Sequence, residues 1–496
     1  MKRIILLYCF FLVVFSALAQ NYKAFSPFYN ETVKGDMLMV GNTVLNPNSD
    51  PNQAYTGSHG DNSQIDLKFT NIAPAAGVFN SSSANVANPN VNASCLKVKA
   101  AYLYWSAAYT QERVNNQTNP KFERSKFKNI KFKTPNASSY TDLVGDLVYD
   151  GNDVLSSRPN SDNSQRAYVY KKEVTNILKT EAATRAGRFD GTYTVANLMA
   201  PKGYEGSGVG YAAGWTLVIV YEDLSKPSRY ITLFDGFSAV NQNNNPTIPI
   251  SGFKTVPTGP VRAKFGFAAL EGELGISGDR LSIQTSKGTQ AISAPGRNVN
   301  NFFNSSITNE NGANTNRNPA STNLFGFDVG LFNLPTTLFA NNATSATLIP
   351  YSNQDAYYPF LFAFNVEVVE PHVVMEKRVY KGSQDITDKV IAKLNTAVPG
   401  TILDNYDSTN PTKFYKNANA IERRVSPNET FEIAAPALEA YKDDAGLVTA
   451  NGVGTSFQTF QMDGGNFVGT GWHKDTQPKF TGTMGASGES VEIVVN

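Results

Sequence analysis

The chain has 496 residues, and 43 lysines and arginines stand against 42 aspartates and glutamates, so no global field draws it to nucleic acid or to anionic lipid. Its two cysteines are Cys9, in an apolar leader, and Cys95; once the leader is gone no internal disulfide can form, and stability must come from core burial, for which the length is ample for two or three domains. The only histidines are His59, His372 and His473, in none of the spacings of a zinc site or a nucleophile elbow, which gives enzymology little to work with.

Lys2-Arg3 precedes the apolar run Ile4–Phe15, and Ala17-Leu18-Ala19 supplies the small residues a signal peptidase needs. A spanning helix needs about 20 apolar residues, so residues 1–19 read as a signal peptide, not a membrane anchor. Tyr8 before Cys9 lacks the small residue that lipid attachment requires, and the mature, secreted chain is expected to begin at Gln20. Asn21–Asn90 is mostly loop chemistry with one strand at Met37–Val40. Asn46, Asn48, Asp50 and Asn52 place oxygens at the alternate spacing of calcium loops, but no glycine or glutamate follows at the EF-hand positions. The reading is an Asx-turn-rich surface loop, with a looser calcium site as the alternative; Asp150–Asp153 and Asn160–Asn163 are weighed in the same way.

From Cys95, read as a small buried hydrophobe, strands come faster. Val98, Ala100, Tyr102 and Tyr104 alternate with Lys99, Ala101, Leu103 and Trp105, as in a strand between a core and a second layer. Gln111–Lys133 interleaves seven basic residues with Phe122, Phe127 and Phe132, the composition of a single-strand nucleic-acid groove. In an exported protein the better reading is the buried side of an edge strand whose lysines discourage aggregation. Val169–Thr180 predicts a short helix through Val174, Ile177 and Leu178, and Gly191–Leu198 a strand. The glycine-rich loop Tyr204–Gly214 precedes a strand instead of following one, so it is no dinucleotide fingerprint and serves tight backbone packing.

The organising stretch is Ala212–Phe237. Trp215–Tyr221 is aromatic and β-branched, a strand buried on both faces. Asp223 to Ser228 supplies turn chemistry, and Arg229–Phe234 alternates as a hairpin partner. Val261–Leu270 is a further strand. Glu271, Glu273 and Asp279 invite comparison with a glycosidase carboxylate pair, but they sit among Gly272, Gly275 and Gly278, which is turn composition. Asn298–Pro319 is an Asn-rich exposed loop anchored by Phe302-Phe303, and long loops of this kind carry what binding potential the chain has. Leu348–Val369 holds a last pair of strands, and Glu370-Pro371-His372 marks a boundary. Val373–Val379, Phe431–Ile433, Ser456–Met462 and Ser490–Val495 supply strands of a smaller β domain, with a helical turn at Asp385–Leu394. Lys377 and Asn496 stand in roughly suitable places for a Lys–Asn cross-link between first and last strands, but any β domain offers such a pair, so none is assigned.

One set of strings is familiar. AGWTLVIVYED and ITLFDGF, with Gly35–Thr43, Phe79–Ala84, Val98–Trp105, Phe132–Pro135, Gly191–Leu198, Ser251–Pro260, Leu270–Leu281, Asn300–Ser305 and Gly326–Asp328 in order, resemble the N-terminal module of very large, repeat-bearing surface adhesins of the Bacteroidetes. The resemblance spans roughly Gly35 to Val369. It implies export by the type IX route to the cell surface, a place in adhesion, and for some such proteins a part in gliding motility. It also implies that the natural protein continues past Asn496 into Ig-like repeats of roughly 100 residues each.

The expectation is therefore an all-β chain: a signal peptide at 1–19, a large jelly-roll-like or β-sandwich domain over 20–370, and a smaller β domain over 371–496. Its function is read as non-enzymatic adhesion, with surface glycans, substratum surfaces or other surface proteins as partners and neither nucleic acid nor membrane insertion. No catalytic, cofactor-binding or metal residue is assigned. The alternatives are a lectin-like domain, calcium-assisted or not, and behind it a polysaccharide-acting enzyme.

Overall fold

In the computed structural model the described residues are 21–90, 96–109, 122–151, 167–206 and 210–369, with paired strand segments within 375–495. The signal segment 1–19, Cys95, residues 110–121 and 152–166, His372, His473 and Asn496 lie outside them. Contacts divide the chain into two compact units, 1–367 and 368–496; the expected join was at 370/371.

The larger unit is an all-β stack of sheets, a β-sandwich-like fold built around one strand. Asn21–Thr43 is 23 residues long. Its first part pairs antiparallel with Ser228–Ser238 and its second with Ala213–Asp223, which joins two sheets into an eleven-stranded system. On one side follow, in order, Tyr358–Glu367, Ala263–Leu270, Phe327–Asn333, Ile307–Asn309 and Gly312–Ala313; on the other Leu96–Ala108, Ala167–Glu173 and Asp146–Asp150. A five-stranded sheet (Arg317–Asn318, Ser81–Val86, Gly191–Ala196, Asn129–Lys133, Thr141–Val144) and a four-stranded one (Ile248–Ser251, Ser345–Ser352, Asp279–Thr285, Gly288–Ala291) complete the scaffold.

Strand geometry sends successive side chains to opposite faces, and Ala213–Asp223 uses both. Trp215, Leu217, Ile219 and Tyr221 enter a core shared with Ile130, Phe132, Tyr193 and Val195 of the five-stranded sheet. Val218 and Val220 enter a second core with Ile231, Leu233, Ala268, Val329 and Leu361. The strand is thus the middle layer, buried on both faces as its composition predicts. Beyond the second core, Phe364 meets Phe253 and Phe339, and Phe265 meets Phe332 and Phe362.

The expected hairpin does not form. Its turn is present, with the Lys226 amide donating to the Asp223 carbonyl at 2.9 Å. Yet Glu222 sits opposite Gly35 and Ser228 opposite Lys34, each strand antiparallel to Asn21–Thr43. The two strands therefore run in the same sense and take successive stretches of Asn21–Thr43, 35–43 and 21–34, instead of pairing with each other. Periodicity missed that partner because only Met37–Val40 is strongly apolar.

Smaller differences have similar causes. Val169 to Glu173, read as helix, belongs to strand Ala167–Glu173, which pairs with Leu96–Ala108; the helix is Thr175–Thr184, with Leu178 buried. Asn129–Lys133 is not an edge strand, since Thr141–Val144 covers its outer side. Its Ile130 and Phe132 are buried, and Lys131 reaches Asp142 at 2.6 Å. Ser345–Ser352 and Tyr358–Glu367 fall in different sheets and do not pair with each other. In the smaller unit, Met375–Lys381 pairs parallel with Val491–Val495, placing Lys377 opposite Ile493, and Thr430–Ala434 pairs with Lys479–Thr483.

Candidate functional site

Six loops tie into one another by main-chain and side-chain hydrogen bonds. Gly275 donates to the Gly60 carbonyl, Gly206 to Ser63, Gly278 to Asn300, Glu271 to Gly326 and Asn353 to Gly278. Asn323 Nδ2 donates to the His59 carbonyl at 2.6 Å, and Asn301 Nδ2 to that of Leu274 at 3.0 Å. The approach is close enough to select glycine. At Gly210, in the left-handed region at φ +80°, a Cβ would run into the Asn62 side chain, and at Gly214 into the Phe327 ring. The expected role of the glycine-rich loop, tight packing, is what these positions do.

Three non-glycine residues of the cluster also hold positive φ: Glu271 at 68°, Ser305 at 56° and Phe325 at 50°. Each costs of order 1–3 kcal/mol and persists only where surrounding contacts over-determine it. At Ser305 and Glu271 those contacts are visible. Ser305 donates from its hydroxyl to the Gly272 carbonyl at 2.5 Å and from its amide to Asp328 Oδ2 at 2.9 Å, while the Glu271 amide is held by Gly326.

Two kinds of buried acid occupy this cluster. Asp328 is neutralised: Arg297, fully buried like its partner, donates to Asp328 Oδ1 at 2.8 Å. The guanidinium spends its other donors on Thr308 Oγ1 and on the carbonyls of Phe302, Ser306 and Val329. Asn298–Pro319 is therefore not a long exposed loop hung on two phenylalanines. Its first half is wrapped around a buried cation that composition does not reveal, and short strands begin at Ile307.

The second kind has no cationic side chain committed to it. Glu271, Glu273, Asp279 and Asp355 are all buried. Asn62 donates from its side chain to Glu271 Oε2 at 3.3 Å and from its amide to Glu273 Oε1 at 3.0 Å. The amides of Phe302 and Phe303 donate to Asp279 Oδ1, the latter at 2.9 Å, and that of Ala356 to Asp355 Oδ1 at 2.7 Å. Glu271 Oε1, Asp279 Oδ2 and Asp355 Oδ2 have no hydrogen-bond partner. Burial first, and neighbouring carboxylates second, push Glu271 well above the usual range. Burial and the Asp61 carboxylate push Glu273 to about 7. Asp279 rises to about 7, chiefly through burial, and Asp355 to about 9 through burial and the charges of Glu273 and Asp279.

The sign of the pH dependence follows. These carboxyls hold protons in the folded state that the unfolded chain gives up, so their contribution is fully present below the unfolded values near 4 and is lost as pH rises through the folded ones. In metal-free buffer the melting temperature of the large unit is expected to fall between about pH 5 and about pH 9. A melting temperature that climbed across that window would show that these groups do not govern it. The groups facing the cluster are Asp61, Glu205, Glu271, Glu273, Asp279 and Asp355, with Arg297 and Asp328 beside Asp279.

Of the residues singled out in sequence, Glu271, Glu273 and Asp279 do come together, and all three are buried. Asp355, Arg297 and Asn62 were not foreseen, since each lies far in sequence from its partners. The 46–52 oxygens serve their own loop: Asn48 and Asn52 amides donate to Asn46 Oδ1 and Asp50 Oδ1 at 2.9 and 3.0 Å, and Gln53 Nε2 to Asp50 Oδ2 at 3.3 Å. Asp150 pairs with Arg124 at 2.6 Å. His59, expected at the surface, is half-buried. At the rim Tyr204 is 49% exposed and donates its hydroxyl to Gln64 Oε1 at 2.8 Å.

No family model matches the chain, and no curated protein matches it. Among solved structures it is similar to the major capsid protein P2 of bacteriophage PM2, at 11% identity and a TM-score of 0.15 over 58% of this chain and 98% of that one. A structure of infectious bursal disease virus Gt strain is similar at 14% identity and a TM-score of 0.16, over 70% and 72%. Neither likeness bears on what the chain does.

Proposed function

We propose that the chain is a non-enzymatic N-terminal module of an exported cell-surface adhesin, carried to the surface by the type IX route and, in a gliding cell, moved along it. The observation that supports this reading is the loop cluster: six polar loops tied to one another by hydrogen bonds on an all-β scaffold, and loops positioned by such a scaffold are where ligands are usually held. Its acids face inward, which suits a structural part and gives a polymer no general acid or base to meet.

A carbohydrate ligand is the second reading, and Tyr204 favours it. An exposed aromatic ring, fixed by a bond to Gln64 beside a main chain rich in polar groups, offers a sugar a stacking face and hydrogen-bond partners. Residues 20–496 on a glycan array are expected to give saturable, sugar-specific binding that Tyr204→Ala weakens by about tenfold, the loss of one aromatic contact of roughly 1.4 kcal/mol. Binding that ignores sugar identity and survives the substitution leaves adhesion by protein contact. Turnover of any glycan, abolished by one acidic substitution, would overturn both readings.

A further inference from the structure

We propose that Asp279 and Asp355 bind a hard divalent cation of the calcium class inside the loop cluster, with the side-chain oxygen of Asn301 and water completing an all-oxygen shell. The inference goes beyond adhesion and does not rest on it. Each carboxylate is split in its bonding. One oxygen is fixed by main-chain amides, of Phe302 and Phe303 for Asp279 and of Ala356 for Asp355; the other, Oδ2 in both, is buried with no hydrogen-bond partner among the described residues. Asn301 Oδ1 is in the same condition, on a residue bridged to Asp279 in the backbone. The two aspartates are 0% and 7% exposed; Asp279 sits opposite Ser352 in the sheet, and the Ser352 hydroxyl donates to the Asp355 carbonyl at 2.6 Å, which brings the two acids to one place.

A buried carboxylate must be paired, protonated or bound to an ion. The same cluster shows what the fold does where it supplies a cation of its own: Asp328 receives Arg297, whose donors are then fully used. Asp279 and Asp355 receive no such group among the described residues, although main-chain amides hold one oxygen of each. The donor chemistry selects the ion. Carboxylate, amide and water oxygens suit a hard cation, and calcium accepts irregular mixtures of them, whereas magnesium demands near-octahedral geometry. Zinc would want imidazole or thiolate, and among the described residues no three acidic, histidine or cysteine side chains are placed to hold one metal ion. Two charged ligands predict weak binding, on the order of 10⁻⁴–10⁻³ M, the range of extracellular modules. The 46–52 loop is a poorer site because its own amides already use its oxygens.

Terbium tests this directly, because Tyr357, whose hydroxyl donates to the carbonyl of Arg280 next to Asp279 at 3.2 Å, can serve as the antenna; burial first, and the charges of Asp279 and Asp355 after it, push that hydroxyl up. Excitation of tyrosine in residues 20–496 should give saturable terbium emission that calcium displaces and an equal concentration of magnesium does not. Asp279→Asn and Asp355→Asn should each abolish it, and Asp50→Asn should leave it unchanged. Calcium should also raise the melting temperature of the unsubstituted protein over that in chelator, a readout independent of whether the variants fold. Absence of both signals in the unsubstituted protein overturns the proposal. So does emission that survives both site substitutions, or that is lost in Asp50→Asn, since either places the ion elsewhere.

Discussion

Asp328→Ala is expected to destabilise the large unit by about 3–5 kcal/mol, because it leaves the Arg297 guanidinium buried and uncompensated. Both side chains are completely inaccessible, so no water reaches in to replace the lost carboxylate. Asp328 also accepts from the amides of Ser305 and Ser306, at 2.9 and 3.0 Å, and those donors would be orphaned with it. Replacing both members, Arg297→Met with Asp328→Leu, should cost less than the single change, since it removes the charge along with its partner. Denaturant unfolding of the three proteins decides this. A single variant as stable as the parent would mean that the pair is solvated, contrary to its burial.

Trp215→Ala is expected to cost about 3–5 kcal/mol through the cavity left in the middle layer. The indole is fully buried opposite Trp105, and its Nε1 donates to Ser82 Oγ at 2.9 Å, so the change also strands a hydroxyl in the facing sheet. Lys128→Ala, on an exposed side chain, should cost under about 0.5 kcal/mol. Equal and small shifts in melting for the two would show that the core lies elsewhere than in strand Ala213–Asp223.

What the sequence disclosed was what depends on near neighbours. The alternation through Val98–Trp105, the apolar run at Trp215–Tyr221 and the aromatic density of Tyr357–Val366 are local properties of strands, and all three appear as strands. The all-β class followed from them. Strand Asn21–Thr43 was hidden because Lys23, Ser26, Asn30 and Glu31 break the apolar pattern; it forms because partners on two sheets satisfy its backbone, and local propensity had no access to that. The site was legible in half. Glycines around Glu271 and Glu273 marked a loop there, while Asp279 opens a strand; the partners of those acids, Asn62, Phe303 and Asp355, are brought near only by the folded chain.

The long first strand also sets the order in which the protein can assemble. Asn21–Thr43 is made first, yet its partners, Ala213–Asp223 and Ser228–Ser238, lie roughly 190 residues further on. Closing so long a loop must come before the contacts that reward it. Until residue 223 exists, the strand that joins the two sheets has neither neighbour, and until residue 238 it lacks the second, so the layers on either side of it have no common seam. The large unit therefore cannot fold piece by piece from its beginning. A nascent chain stays open through nearly half its length, with its first strand waiting for partners made much later.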